Sequence, residues 1–445
     1  MHETISYKNI WRISYPLILS FLATSVINVT DTAFMGRISD VALGATGLGG
    51  IYYLIFLMTA VGLGIGAQII MARYHGEGNL PRIGRVFDNL IYFMVFLGIV
   101  LIGVHFLIGP TILDLVIDSD NILAAAVDYT SIRSFSFAPS FLAVAYRSFL
   151  TGVSTTRAIS YSSGIMALVN FVLNYLLVFG NFGFPRMEIE GAAWASVLSE
   201  TCGLIYLMIW VRYNRLGSDY HAFEFDAPNF GVIRNMLKVG FPVMIQHVVA
   251  LMSWLTFFLM IEGMGERALA ISNVVRGAYS ILMIPLIGIA QATQTLVSNL
   301  IGQGGTELVP KLIKRLVFVS VGASFGLMIL NLINPSLSLS IFTNDLLLIQ
   351  DSLPVVPIIS ISILIFALGV VLLSVISGTG NTKATLYIEL TTLALYLAFL
   401  YYVVHVKNES LVVVWTSEFV YFTVISLISA IYLWKGKWKN TKVHD

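Results

Sequence analysis

One carboxylate lies inside an otherwise apolar segment near the start of the chain. Asp31 follows Pro16 by fifteen residues, in a stretch from Ser14 to Met35 that is long enough to cross a bilayer. An ionisable group within a span costs roughly 3 kcal/mol, so it usually faces a cavity or a partner. A helical rise places Asp31 about 22 Å beyond Pro16, in the outer half of the membrane. Asp31 is therefore a candidate proton- or cation-binding residue, and the alternative is that it caps the outer end of the helix or lies in the exterior interface.

Two asparagines in a later apolar segment fall at the same predicted depth. Asn170 and Asn174 lie about 18 and 24 Å along a helix counted from Ala158. They are four residues apart, so both project from one helix face. Amide oxygens beside a carboxylate can hold a proton or Na⁺, whereas hydrogen bonding between helices is the structural alternative.

Other polar residues within apolar segments are weaker candidates. Glu200, near the middle of its segment, is either a second protonatable site or the partner of a buried arginine. Gln246 and His247 follow Pro242 and are candidates for a substrate cavity, with a helix contact as the alternative. Arg276 is a candidate for the cavity wall or a charge pair. Arg133 and Arg147 have the same two alternatives as Arg276. The remaining acids in these segments are expected to pair or to snorkel towards an interface: Glu262, Glu389 and Glu418.

The composition explains which elements position these residues. Of the 445 residues, 57% are hydrophobic and 11% are charged, whereas soluble domains average about 25% charged. Apolar runs of about 20 residues recur along the whole chain. They predict an all-α polytopic membrane protein with twelve transmembrane helices: 14–35, 43–72, 86–109, 125–150, 158–180, 190–211, 240–261, 266–298, 312–334, 352–376, 384–405 and 411–434.

The loops predict the orientation of these spans. With both termini in the cytoplasm, 18 lysines and arginines fall on the cytoplasmic side and 4 fall outside. This distribution fits the positive-inside rule.

An internal repeat appears when the chain is aligned with itself at an offset of 226 residues. The offset pairs identical residues over a long stretch, including Pro16 with Pro242, Ala42 with Ala268, Gly62 with Gly288 and Gln68 with Gln294. Each half holds six spans, so the halves are predicted to be parallel repeats with a substrate path between them. The predicted domains are an N-terminal six-helix lobe (1–215), a cytoplasmic linker (216–237) and a C-terminal six-helix lobe (238–445).

Several function classes lack their motifs here. No phosphate-binding G-x-x-x-x-G-K-[ST] loop and no H-E-x-x-H zinc motif is present, so gradient-driven transport is expected without a cofactor. A net charge of +1 without a basic block argues against nucleic acid, and the single cysteine, Cys202, excludes an internal disulfide. Gly62, Gly64 and Gly66 lie inside a span, where small residues favour close helix packing.

Motifs in both halves resemble the multidrug and toxic compound extrusion family. They are YP followed by VTDTAFMGRISDVALGATGL, GFP followed by ALAISN, the AQ and TQ segments that end in GEG and GQG, and the pair LTGVSTTRA and ISGTGNTKA. The resemblance spans nearly the whole chain. It implies two six-helix bundles and antiport of organic, often cationic or amphipathic, compounds against protons or Na⁺.

Asp31 makes the chain similar to the DinF-like branch of that family, in which a carboxylate of the first helix binds the coupling ion. The other large branch places acids in the seventh and tenth helices, where this chain has none. Asn174 is a departure, because the family motif has an aspartate at its position. The resemblance thus implies a site of Asp31, Asn170 and Asn174 that takes a proton or, alternatively, Na⁺.

The sequence therefore predicts a secondary-active exporter of small amphipathic or cationic molecules in a bacterial cytoplasmic membrane. Proton coupling is preferred to sodium coupling, and the chain is expected to act as a monomer. A lipid-linked oligosaccharide flippase is the alternative, since buried arginines could meet a pyrophosphate. A membrane-embedded enzyme is the least favoured class, because no catalytic cluster is visible.

Overall fold

The computed structural model describes residues 3–440, apart from the side chains of Lys437 and Asn440, and this part of the chain is helical without a strand. The predicted all-α class is therefore confirmed. The last residues of the predicted C-terminal lobe, 441–445, lie outside the described residues, as do the first two of the chain. Eleven helices of the described part are long and apolar enough to cross a membrane.

The helices of the first half are α1 (Tyr7–Met35), α2 (Asp40–Glu77), α3 (Leu80–Asp114), α4 (Asp120–Ser134), α5 (Phe137–Gly152), α6 (Arg157–Leu177), α7 (Glu188–Tyr213) and α8 (Leu216–Asp219). The helices of the second half are α9 (Phe230–Glu262), α10 (Glu266–Gly302), α11 (Val309–Ile333), α12 (Pro335–Ser340), α13 (Leu346–Ser352), α14 (Val356–Gly378), α15 (Thr382–Tyr401), α16 (Leu411–Trp415) and α17 (Ser417–Trp434).

The predicted fourth span is divided between two helices. α4 ends at Ser134 and α5 begins at Phe137. Pro139 explains the interruption, because proline has no N–H to donate to the carbonyl of Phe135 and its ring clashes with that carbonyl. Counted with the eleven long helices, this pair is consistent with the predicted twelve spans. The break also places Arg133 and Ser136 at a turn rather than within a continuous helix.

The chain divides into two compact units. One unit is Leu19–Met244, and the other contains the described residues up to Ile18 together with those from Ile245 onward.

Within the first unit, the glycines of α2 fit where a side chain would collide. A Cβ on Gly64 would lie 2.6 Å from Ser148 Oγ, and one on Gly66 would lie 2.5 Å from Gly240 Cα. The packing role predicted for these glycines is therefore confirmed.

A buried carboxylate holds the connection between α8 and α9 against α3. Asp88 accepts hydrogen bonds from the backbone N–H groups of Phe223 (2.8 Å), Glu224 (3.1 Å) and Phe225 (3.2 Å). Phe223 and Phe225 have φ values of 66° and 47°, in the left-handed region that non-glycine residues rarely adopt. Successive N–H groups in such a conformation form a concave anion-binding nest, and the carboxylate occupies it. The connection is therefore a docked segment of the first unit.

We expect Asp88→Ala to destabilise this unit by about 2 kcal/mol, because three N–H groups lose a charged acceptor. The connection should also become more sensitive to limited proteolysis. Asp226→Ala, which alters an exposed carboxylate of the same segment, is the control and should change neither property. Equal proteolysis of the two variants would contradict the role given to Asp88.

Candidate cation-binding site

The first predicted site residue, Asp31, lies four residues before the end of α1. It is within the helix and half-buried, so it does not cap the outer end. Its carboxylate faces α6. Asp31 Oδ1 accepts a 2.7 Å hydrogen bond from Asn174 Nδ2, which identifies its nearest partner.

The two asparagines of α6 present their amides together on one face of the helix. Asn170 and Asn174 are fully buried, and Asn174 Nδ2 also donates to Asn170 Oδ1 at 3.1 Å. The structure thus brings Asp31, Asn170 and Asn174 into contact. Their shared depth follows from the fixed helical rise, and their shared face follows from the four-residue spacing.

The amide cage has an unused acceptor and an unused donor. Asn174 Oδ1 and Asn170 Nδ2 are buried and have no hydrogen-bond partner of normal geometry among the described residues. Asn170 nevertheless lies close enough to interact with Asp31. An amide can donate to a carboxylate or, after rotation, accept from a carboxylic acid. The cage can therefore accommodate Asp31 in either protonation state, and Asn174 Oδ1 is a spare oxygen for a cation.

A buried ion pair lies near this cage. Arg133, at the end of α4, donates to both carboxylate oxygens of Glu200 on α7, at 2.5 and 3.0 Å. Tyr53 donates to Glu200 at 3.0 Å and Ser140 also donates to it, while Arg133 donates to Ser136. The guanidinium lies 3.8 Å from the centre of the Tyr53 ring. Of the two predictions for Glu200, the geometry matches the partner of a buried arginine.

The ion pair sets the electrostatic surroundings of Asp31. Arg133 and Glu200 both act on Asp31 through space, with opposite sign. Because Arg133 is bonded to Glu200, its charge is partly compensated, and Arg133 still acts on Asp31 more strongly than Glu200 does. No ion pair among residues 3–440 includes Asp31. Its carboxylate is thus free to gain a proton or a cation without breaking a salt bridge.

The remaining predicted site residues, Gln246, His247 and Arg276, belong to the second unit. Gln246 Nε2 donates to Glu389 Oε2 at 3.4 Å. His247, the next residue on α9, also has an interaction partner. Arg276 is exposed, with its guanidinium 4.8 Å from the centre of the Phe258 ring. Their role in a substrate cavity stays a prediction.

The sequence reasoning missed three hydroxyl groups of the ion-pair network. Tyr53, Ser136 and Ser140 all contact Arg133 or Glu200. In the continuous fourth span that the sequence predicts, the spacing of Arg133, Ser136 and Ser140 is that of one helix face, so the sequence contained a signal for two of them. Tyr53 comes from another helix, and nothing in the sequence connects it to the pair.

The site is not a conventional metal centre. Among the described residues, no group of three or more His, Cys, Asp or Glu side chains could hold a metal ion. A single carboxylate with two amides is a weak ligand set for a divalent cation. The ions that fit its charge are therefore a proton or a monovalent cation.

Comparison with known proteins agrees with this architecture. The MatE family model matches residues 16–176 and 242–403, one segment in each half. The two segments begin 226 residues apart, which is the offset of the internal repeat. A probable multidrug resistance protein NorM of Thermotoga maritima is 26% identical over 98% of this chain and 94% of its own length. The multidrug resistance protein NorM of Burkholderia vietnamiensis is also 26% identical, over 72% of this chain and 68% of its own.

Solved structures share the fold at low sequence identity. A transporter of the MOP superfamily from Pyrococcus furiosus superposes with a TM-score of 0.87 and 17% identity, covering 98% of this chain and 97% of its own. A variant of the Vibrio cholerae MATE transporter VcmN superposes with a TM-score of 0.88 and 15% identity, covering 99% of each chain. The family match covers well over half of the sequence. The chain therefore belongs to the MatE family and is a multi-pass membrane transporter rather than an enzyme.

Proposed function

We propose that this chain exports small amphipathic or cationic organic compounds in exchange for protons, and that Asp31 carries the coupling proton. The observation that supports this proposal is the carboxylate of Asp31, which is bonded to the Asn174 amide and has no salt bridge among the described residues. The multidrug resistance names of its relatives agree with export of organic compounds. Asp31 also favours the DinF-like branch of the family.

The choice of ion follows from the charge of the site. Asp31 is one carboxylate, and Asn174 stands where the family motif has a second acid. Without that acid, the site attracts Na⁺ less strongly but can still be protonated. The proton is therefore the preferred coupling ion, and Na⁺, with the oxygens of Asn170 and Asn174 as ligands, is the alternative.

Transport in proteoliposomes with imposed gradients tests the proposal. We expect export to follow the pH gradient at fixed Na⁺ concentration and to be indifferent to a Na⁺ gradient at fixed pH. Transport that follows only the Na⁺ gradient would refute proton coupling. Transport that ignores both gradients would refute antiport itself.

Asn174→Ala separates the two ions further. If the ion is a proton, the loss of one hydrogen bond of about 1 kcal/mol should weaken pH-driven export several-fold and leave Na⁺ without effect. If the ion is Na⁺, the loss of a ligand should raise the Na⁺ concentration for half-maximal export several-fold. Asn214, an exposed residue at the end of α7, changed to alanine, is the control.

A flippase for lipid-linked oligosaccharides has less support. It needs free basic groups for a pyrophosphate, but Arg133 is bonded to Glu200 and Arg276 lies over Phe258. Arg147 donates to Ser20 at 2.6 Å and is absent from the ion pairs of residues 3–440. One such arginine is a small binding surface for two phosphates, so export remains the proposal.

The distribution of positive charge supports a location in a bacterial cytoplasmic membrane with both termini in the cytoplasm. In that orientation Asp31 lies in the outer half of the bilayer. A proton reaching it would come from outside, which is the direction expected for an exporter driven by proton entry.

A further inference from the structure

The second unit contains two glutamates in its interior. Glu389 on α15 is 2% exposed and Glu418 on α17 is 6% exposed. The sequence predicted that each would pair with a cation or snorkel towards an interface. Both side chains are too buried for their carboxylates to reach a membrane interface. Their stability in the interior must therefore depend on the groups that they contact.

Their hydrogen-bond partners are all neutral. Glu389 accepts from Tyr421 OH at 2.5 Å and from Gln246 Nε2 at 3.4 Å. Glu418 accepts from Tyr279 OH at 3.0 Å and from Tyr396 OH at 3.4 Å. The rings of Tyr396 and Tyr421 are in edge contact, with 5.6 Å between their centres. The two carboxyl groups therefore belong to one tyrosine-rich cluster.

No positive charge compensates them within the described residues. Neither glutamate is in an ion pair, and neither has a charged group among its interacting partners. α14 and α16, which pack beside α17, contain no ionisable residue. Arg267 pairs with Asp351, and Arg276 lies over Phe258. The other ionisable groups on the neighbouring helices are Arg234 and Lys238, in the part of α9 that belongs to the first unit, His247 and Glu262 on α9, Glu266 on α10, Lys383, Tyr387 and Tyr401 on α15, and Tyr432 on α17.

The internal repeat shows that the second unit has no counterpart of Arg133. Tyr279 and Tyr396 are offset by 226 residues from Tyr53 and Asn170, so this cluster uses positions equivalent to those of the first unit's polar site. In the first unit, Arg133 compensates Glu200. The residue at the equivalent offset from Arg133 is Ile359, which is fully buried and apolar. The same offset pairs Glu200 with Ser426, Glu389 with Ser163 and Glu418 with Ala192. The second unit therefore lacks counterparts of both Arg133 and Glu200, and its two glutamates occupy positions that are neutral in the first unit.

We infer that Glu389 and Glu418 form a second proton-binding site, in the second unit. A carboxylate ionised in an apolar interior without a counter-charge costs several kcal/mol, and binding a proton removes that cost. The hydroxyl of Ser417 is fully buried beside Tyr396, which is itself a partner of Glu418.

The chemistry of the site is reversible protonation of two glutamates, each of which accepts hydrogen bonds from tyrosine hydroxyls. A proton lost from Glu389 leaves a carboxylate bonded to Tyr421, and a proton lost from Glu418 leaves one bonded to Tyr279. No covalent step is required. The contribution of this site to antiport rests on the proposed function, but proton binding itself does not.

Infrared difference spectra of the purified protein at high and low pH test the inference directly. Protonated carboxyl groups have a carbonyl band that ionised ones lack, and D₂O shifts it. The measurements use the Asp31→Asn protein, in which Asp31 cannot contribute to the band. In that protein we expect a carbonyl band whose intensity changes with pH. Glu389→Gln and Glu418→Gln, added to this protein, should each lower the intensity of the band by the amount that one carboxyl group contributes. Glu262→Gln, at an exposed residue, is the control and should remove none of the buried component.

Two results would overturn the inference. A carbonyl band that is unchanged across the pH range would show permanently protonated structural groups, and its absence throughout would show permanently ionised ones. Tyr421→Phe gives a second measurement if a glutamine variant does not fold, since loss of the Tyr421 hydrogen bond should shift the Glu389 band. If the band titrates but transport does not follow pH, the site stands and the proposed function fails.

Discussion

We expect Asp31→Asn to abolish gradient-driven export while the protein remains folded. Asparagine has nearly the same shape as aspartate, and its amide oxygen can still accept from Asn174 Nδ2, which now donates at 2.7 Å to Asp31. The amide cannot gain or lose a proton, and it is a weaker ligand for a cation. Because no difference in ion binding remains between the states of the transport cycle, the gradient can no longer drive it.

The measurement is concentrative export from proteoliposomes, compared with vesicles that lack the protein. Export by the Asp31→Asn protein should fall to that background, while its unfolding temperature should change by no more than a few degrees. Asp114→Asn is the matched control, because Asp114 is exposed at the end of α3. Concentrative export by Asp31→Asn at normal protein levels would refute the assignment of the coupling residue.

The sequence predicts much of this site because two geometric rules are fixed. A helical rise of about 1.5 Å per residue gives the depths of Asp31, Asn170 and Asn174, and a spacing of four residues gives a common face for the two asparagines. The sequence does not show which helices are neighbours. The contact between Asp31 and Asn174 is therefore visible only in the structure.

The same limitation explains the incomplete predictions for the other acids. Glu200 and Glu389 are both single glutamates within apolar segments, and their sequences do not distinguish them. In the structure, Glu200 meets Arg133, whereas Glu389 meets a tyrosine and a glutamine. The break between α4 and α5 also escaped prediction. The hydrophobic pattern continues across the break and predicts one span, although Pro139 marks where the helix is interrupted.

The second large effect is expected at the ion pair of Arg133 and Glu200. Removing one partner leaves an uncompensated charge in the interior, which typically costs about 3–5 kcal/mol. We therefore expect Arg133→Ile and Glu200→Gln each to destabilise the protein by an amount in this range. Isoleucine is chosen because Ile359 has the equivalent place in the second half.

The double variant provides the decisive comparison, because neither charge remains. Its loss of stability should be smaller than the sum of the two single losses, by roughly 2 kcal/mol or more, since the two residues interact directly. Arg186→Ile is the control, because Arg186 forms an exposed pair with Glu188 at 3.2 Å and should contribute less than about 1 kcal/mol. Denaturant unfolding of the purified proteins gives all four values. Additive losses would mean that Arg133 and Glu200 do not stabilise each other, and Asp31 would then lie beside two independent charges.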